Sequence, residues 1–170
     1  MRKLHVHIFY VFSLFLIGFV SAESAVAATY EPGHGALQLW NETAMKNTPQ
    51  WLNIWLSVLV GSFAVGILFV WHHVAARWLV GGFILMMLFV LFVAPVMELT
   101  PLAGLFALLH IIFWLPGFLI LLKERPFLKG FSFYGLWGGV IALVIFISFI
   151  FDFRDAAIYL DHVLGMGLIA

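Results

Sequence analysis

The residues best suited to chemistry include a histidine in an apolar setting, the segment "LFALLHIIFWLPG" at 105–117. His110 lies one helical turn before Trp114, and together they form the candidate intramembrane polar site. Ionisable side chains at membrane depth are rare and usually face the protein interior or a cavity. Three interpretations stay open for His110: a hydrogen-bonded packing residue, which we favour, a proton or ligand carrier, and a metal or haem ligand.

The proline that follows this histidine affects the space around it. Pro116 has no amide hydrogen, so it frees the carbonyl of Ile112 from its usual helical partner. Gly117 comes next and adds backbone freedom. The pair predicts a kink that opens space beside Trp114.

A second group of polar residues lies near the end of the chain. Asp152, Asp155, Tyr159 and His162 are separated by three, four and three residues, so they share one face of a helix. We favour an amphipathic helix whose polar stripe faces water. The alternative is a metal or proton site, because carboxylates and imidazoles bind divalent cations. That alternative needs Glu98 to converge on the stripe.

The histidines do not form a haem site within one chain. Bis-histidine ligation needs two imidazoles at similar depth. His72 and His73 end the first apolar run, roughly 15 Å from the midplane at helical rise, whereas His110 lies near mid-membrane. His34 and His162 lie outside the hydrocarbon. The sequence therefore names no cofactor, and a haem shared with another chain and a divalent metal stay open alternatives.

The composition places most of the chain in lipid. Of its 170 residues, 65% are hydrophobic and 9% are charged, whereas soluble chains are about 45–50% apolar and about 25% charged. The excess apolar surface must face a lipid bilayer. The net charge is zero, which gives no footprint for nucleic acid. The absence of cysteine excludes disulfides and thiolate sites.

The apolar runs predict the elements that carry these residues. Arg2 and Lys3, an apolar stretch and the small residues "SAESAVAA" predict a cleaved signal peptide over 1–28. An extracytoplasmic segment, 29–51, precedes a four-span bundle, 52–151, and an extracytoplasmic amphipathic segment, 152–170, follows it. Each span is close to the roughly 20 residues that cross a bilayer. The spans are 52–71, 78–97, 102–122 and 131–151. Their short connections predict an all-α integral membrane protein, an antiparallel four-helix transmembrane bundle.

The basic residues predict the orientation. Four of them lie in the connections after the first and third spans, Arg77, Lys123, Arg125 and Lys129. By the positive-inside rule these connections are cytoplasmic. We therefore expect a bacterial inner (plasma) membrane protein with both mature termini extracytoplasmic.

Function is the least constrained property. Pairs of small residues four apart let helices approach closely; they are Ser57 and Gly61, Ser62 and Gly66, Ala103 and Ala107, and Gly135 and Gly139. We expect packing within the bundle, with the Gly135–Gly139 face as the alternative docking site for a partner.

No catalytic motif is present. The leading hypothesis is a non-enzymatic accessory, assembly or scaffold subunit that packs against other membrane subunits or itself. The alternatives are a redox or metal/haem-handling component, which would use His110 or the acid–histidine stripe, and a small proton-coupled transporter or channel.

Overall fold

The computed structural model describes residues 35–40 and 49–168. The predicted signal peptide, and most of the segment that follows it, lie outside the described residues. Four helices dominate the described part, and each is long and apolar enough to cross a membrane. The prediction of an all-α, multi-spanning membrane protein is confirmed at this level.

The four long helices begin and end close to the apolar runs. Helix α1 is Gln50–Gly66, extended by a 3₁₀ turn, Ile67–Phe69. Helix α2 is Val74–Leu88, continued by a π-helical turn, Phe89–Val93, and a final short stretch, Ala94–Val96. Helix α3 is Ala103–Glu124, and a 3₁₀ turn, Pro126–Leu128, follows it. Helix α4 is Phe133–Leu164.

Local sequence explains several of these boundaries. The Ser132 hydroxyl accepts a hydrogen bond from the backbone N–H of Gly135 at 2.9 Å and caps the start of α4. Arg125 adopts the left-handed conformation, φ 47°, and Pro126 then prevents α3 from continuing. Gly165, with φ 63°, ends α4 in the conformation that glycine adopts most readily.

The π-helical turn in α2 comes directly before a proline. Pro95 has no amide hydrogen to donate to the carbonyl of Leu91. The turn Phe89–Val93 takes up the resulting break in the helical ladder, and the chain stays helical to Val96. Glu98, with φ 53°, then reverses the chain toward α3.

The helices form a bundle in which α3 is the most extensively packed. It contacts α2 on one side and α4 on the other, while α1 packs less extensively on α2 and α4. Two glycines permit the close α2–α3 contact. A Cβ on Gly82 would collide with the backbone carbonyl of Phe113, and one on Gly117 would lie 2.8 Å from the backbone nitrogen of Leu79.

Helix α4 is longer than its predicted span. It continues without a break from residue 151 to Leu164, so residues 152–164 of the predicted C-terminal segment prolong the fourth span. At 1.5 Å per residue, its 32 residues measure about 48 Å, more than the roughly 30 Å of hydrocarbon. The extension packs on protein: a Cβ on Gly104 would meet Tyr159 Cβ at 2.6 Å and the Ala36 carbonyl oxygen at 3.0 Å.

Residues 35–40 form part of this packing. The backbone N–H of Trp40 donates to the Pro101 carbonyl at 2.7 Å, and that of Ala103 donates to the Gln38 carbonyl at 2.9 Å. Ala36 is completely buried. These contacts tie residues 35–40 to the start of α3 and the end of α4.

Most of the small-residue pairs serve the bundle itself. A Cβ on Gly66 would lie 2.9 Å from both Trp137 and Val80. Gly135 lies against the backbone of Pro126. The alternative prediction, that the Gly135–Gly139 face docks a partner, is therefore wrong at Gly135. Gly61 differs, because a Cβ added to it would have no atom within 4 Å, and it is exposed, as is Ser57.

Candidate functional site

His110 of α3 contacts Asp152 of α4. The imidazole Nδ1 lies 3.2 Å from both carboxylate oxygens of Asp152. With Nδ1 as the donor, one N–H is shared between the two oxygens, and Nε2 is left to accept or carry a proton. His110 therefore has a hydrogen-bond partner in the neighbouring helix, and that partner is a second ionisable group.

The antiparallel helices place this pair inside the bundle. His110 lies seven residues after the start of α3, about 10 Å along the helix. Asp152 lies twelve residues before the end of α4, about 18 Å along that helix. Side-chain exposure is 21% for His110 and 12% for Asp152. The pair is therefore mostly shielded by protein, away from both ends of α4.

Trp114 is the aromatic neighbour of His110 in the site. Its ring stacks on the His110 imidazole, with centroids 4.0 Å apart and planes 18° from parallel. Phe63 packs on the other side, at a centroid distance of 4.9 Å. Trp114 is fully buried, and its indole Nε1 has no hydrogen-bond partner among the described residues. An unpaired buried N–H costs about 1–3 kcal/mol, so this tryptophan is held by packing.

The predicted opening beside Trp114 is wrong. Helix α3 runs through Pro116 without interruption, and Gly117 packs tightly on Leu79. Phe63, which is 1% exposed, fills the space next to the indole. The missing hydrogen bond at Pro116 is accommodated within a continuous helix because neighbouring helices hold it on both sides.

The acid–histidine stripe does not face water as a unit. Asp152 and Tyr159 are buried and Asp155 is half-buried, whereas His162 is exposed. The expected water-facing stripe is therefore wrong for Asp152 and Tyr159, because α4 continues packed against α3. Asp155 lies 3.8 Å from Arg154, a largely exposed ion pair that contributes little to stability.

The candidate metal residues do not gather. In the part of the chain that the structure describes, no group of three histidines or carboxylates is placed to hold a metal ion. Glu98 is exposed, and within that part it shares no hydrogen bond or ion pair with Asp152, Asp155, Tyr159 or His162. The structure pairs Asp152 with His110 instead.

Asp161 is a polar residue that the sequence did not single out. It is 4% exposed, and its Oδ1 accepts the backbone N–H of Leu168 at 2.9 Å. The backbone N–H of Met166 donates to its carbonyl at 3.1 Å. Asp161 therefore folds the last described residues back onto the helix end, and the nearby Gly165 was the only sequence signal for that turn.

The histidines at the other end of the bundle are far from His110. The His73 imidazole stacks on the Tyr134 ring, with centroids 3.4 Å apart. Tyr134 and Asp152 lie 18 residues apart in α4, about 27 Å at 1.5 Å per residue. His73 and His110 are therefore too distant to ligate one iron, as their depths in the sequence predicted.

Comparisons with protein families, with curated proteins and with solved structures find no match to this chain. Its function must be argued from its own residues. Those residues form four helices that are long and apolar enough to cross a membrane, with an imidazole–carboxylate pair between the third and the fourth.

Proposed function

We propose that this chain is a membrane protein whose activity depends on proton binding at His110, as in a small proton-coupled transporter. The observation that carries the proposal is the contact between the His110 imidazole and the Asp152 carboxylate at 3.2 Å. Ionisable groups at this depth, paired with one another, are typical of proton pathways. Histidine changes charge between about pH 5 and pH 8, the range in which a physiological proton gradient acts.

The surroundings suit a group that alternates between two charge states. The Asp152 carboxylate can balance an imidazolium, and the face of the Trp114 ring can also stabilise a cation. With Nδ1–H directed at Asp152, Nε2 is the atom that takes up the proton. His110 then loses its proton again without breaking the contact that orients its ring.

The direct test is a ¹⁵N NMR titration of the histidine rings in the purified protein. The proposal requires the His110 ring to exchange between its two protonation states within the pH range over which the protein stays folded. Asp152→Asn preserves the size of the side chain and removes its charge, so it should alter that titration. His162→Gln is the matched control, since it removes an exposed imidazole from the same helix. A His110 ring that keeps one protonation state over this range would contradict the proposal.

A functional test uses liposomes that enclose a pH-sensitive dye. With a potassium diffusion potential as the driving force, we expect proton uptake by the wild type and by His162→Gln. His110→Gln and Asp152→Asn should each lower it to the level of protein-free liposomes. Unchanged uptake in both variants would exclude a required proton role for the pair.

A partner-binding subunit is the second candidate, and one observation favours it. Helix α1 is the least buried span: 22% of its most apolar stretch is buried, compared with 44% in α4. Ser57 and Gly61 lie exposed on it, four residues apart, and the Ser57 hydroxyl already donates to the Asn53 carbonyl at 2.8 Å. The Ser57 hydroxyl is already hydrogen-bonded and Gly61 has no side chain, so a transmembrane helix of another subunit can pack closely against these two residues.

Two glycines with equally open surroundings test that candidate. A Cβ added to Gly61 of α1 or to Gly81 of α2 would have no atom within 4 Å, so a larger side chain would start in open space at both positions. We expect Gly61→Leu, but not Gly81→Leu, to release a partner during purification in mild detergent. The readout is the mass of the particle by light scattering. Equal masses for the wild type and Gly61→Leu would reject this face of α1 as an interface.

A further inference from the structure

A polar pocket lies at the end of the bundle opposite the Asp161 turn. We call this end the basic end, because Arg77, Lys123, Arg125 and Lys129 lie there. The pocket has a volume of about 290 Å³. Three segments line it: the α1–α2 turn, the α3–α4 connection and the start of α4. The polar lining residues are His72, His73, Glu124, Lys129, Ser132 and Tyr134.

Aromatic contacts hold one wall of the pocket in place. The Tyr134 hydroxyl donates to Glu124 Oε2 at 2.8 Å, which orients the carboxylate. The His73 ring lies flat on the Tyr134 ring, with planes 9° apart, and Phe69 and Trp137 pack around the same tyrosine. Glu124 is therefore a fixed negative group, with its second oxygen left to accept hydrogen bonds.

The pocket carries one charge of each sign. Lys129 is exposed. Within the described part of the chain, it does not form an ion pair with Glu124. Burial lowers the pKa of His73 below its ordinary 6.5, an effect that the Glu124 carboxylate opposes and His72 adds to. His73 is thus a neutral donor and acceptor at neutral pH. The charged groups available to a ligand are the Lys129 ammonium and the Glu124 carboxylate.

Large apolar side chains are next to lining residues along the chain: Trp71 precedes His72, Leu128 precedes Lys129, and Phe133 lies between Ser132 and Tyr134. Trp71 is 82% exposed, Leu128 70% and Phe133 79%. Amphipathic aromatic rings favour the headgroup region of a bilayer. At that depth the polar pocket can contact the headgroup of a lipid, and the exposed apolar side chains can contact its acyl chains. A volume near 300 Å³ lies at the lower end for small-molecule sites, which suits a headgroup with its acyl chains outside.

We propose that this pocket binds the headgroup of a zwitterionic phospholipid, with the phosphate at Lys129 and the ammonium at Glu124. Basic pockets between transmembrane helices at the cytoplasmic side bind acidic headgroups. The carboxylate of Glu124 changes that preference, because it repels a second negative charge and accepts hydrogen bonds from an ammonium group. The exposed apolar side chains of Trp71, Leu128 and Phe133 favour a membrane lipid over a soluble phosphate ester.

Native mass spectrometry of the full chain, titrated with defined lipids, tests the assignment. We expect phosphatidylethanolamine to bind roughly tenfold more tightly than phosphatidylglycerol, a difference of about 1.4 kcal/mol, because only its ammonium group makes a charge-assisted hydrogen bond to Glu124. Glu124→Gln should abolish this preference; its amide oxygen still accepts the Tyr134 hydroxyl, which preserves the wall. Lys129→Gln should weaken the binding of both lipids.

Lys123→Gln is the matched control, because Lys123 is exposed at the same end but does not line the pocket. It should bind both lipids like the wild type. Equal affinity for the two lipids in the wild type, or a preference that survives Glu124→Gln, would overturn the proposal. Equal weakening by Lys123→Gln and Lys129→Gln would reduce the effect to general surface charge and also overturn it. Free phosphoethanolamine that binds as tightly as the lipid would assign the pocket to a soluble ligand instead.

Discussion

At the scale of single residues, the sequence predicted the neighbours of His110 in its own helix but not its partner in the next. Trp114 follows His110 by four residues, so their stacking is a property of one helix. Asp152 is 42 residues away, and its side chain meets His110 only because of how α4 rotates against α3. That rotation depends on the packing of many apolar side chains, which the spacing of polar residues alone does not reveal.

The same reasoning applies to two carboxylates that the sequence analysis did not single out. Asp161 and Glu124 carried no motif, yet each accepts a specific hydrogen bond at one end of the bundle. A carboxylate that is wholly or partly shielded from water needs such a partner, and the fold of the helix end or of the neighbouring segment supplies it. The pattern of residues within a single helix therefore does not reveal which hydrogen bond a polar residue makes, because its partner lies outside that pattern.

The pairing of His110 with Asp152 predicts a specific pattern of stabilities. His110→Leu leaves the carboxylate without its partner and should lower the free energy of unfolding by about 1–3 kcal/mol; Asp152→Leu should have a similar effect. The double variant His110→Leu/Asp152→Leu removes both polar groups, so it should be more stable than either single variant. Unfolding in mixed micelles, followed by circular dichroism, measures all three. A double variant as unstable as the sum of the two singles would show that the contact contributes nothing.

At the scale of helices, the apolar runs predicted the number and type of the elements, and their first three spans agree closely with the structure. The fourth was predicted to end at residue 151 but continues to Leu164. Hydropathy indicates how many residues can be covered by lipid, and it does not indicate where a helix covered by protein ends. From Asp152 onward the covering is supplied by α3 and residues 35–40, so the helix persists with polar residues on its protein-facing side.

The contact between α2 and α3 predicts that two adjacent glycines respond differently to the same change. Gly82→Ala places a methyl group against the carbonyl of Phe113 and should destabilise the protein by about 1–3 kcal/mol. Gly81→Ala meets no atom within 4 Å and should be neutral or stabilising by up to about 1 kcal/mol, because alanine favours the helix. Thermal unfolding of both variants in the same detergent gives the comparison. Equal stability of the two variants would mean that α2 and α3 are not in such close contact.

At the scale of the whole molecule, the two ends of the bundle differ in charge and in construction. The basic end combines short connections with an aromatic and polar pocket. The opposite end is closed by residues 35–40, the start of α3 and the extension of α4. The sequence predicted the difference in charge from the distribution of lysine and arginine. It did not predict the pocket, which forms only when the α1–α2 turn reaches the start of α4.

The charge difference predicts how the protein lies in the membrane. The positive-inside rule predicts that the basic end faces the cytoplasm and that the end carrying Asp161 faces the opposite side. The chain contains no cysteine, so single substitutions can be labelled without background. A membrane-impermeant maleimide added to intact cells should label Leu168→Cys, whose native side chain is 77% exposed. Lys123→Cys, which removes only one of four basic residues, should react only after the membrane is permeabilised. Because an odd number of helices, α4 alone, separates the two positions, labelling of both in intact cells would contradict the four-span arrangement, and the inverse pattern would reverse the orientation.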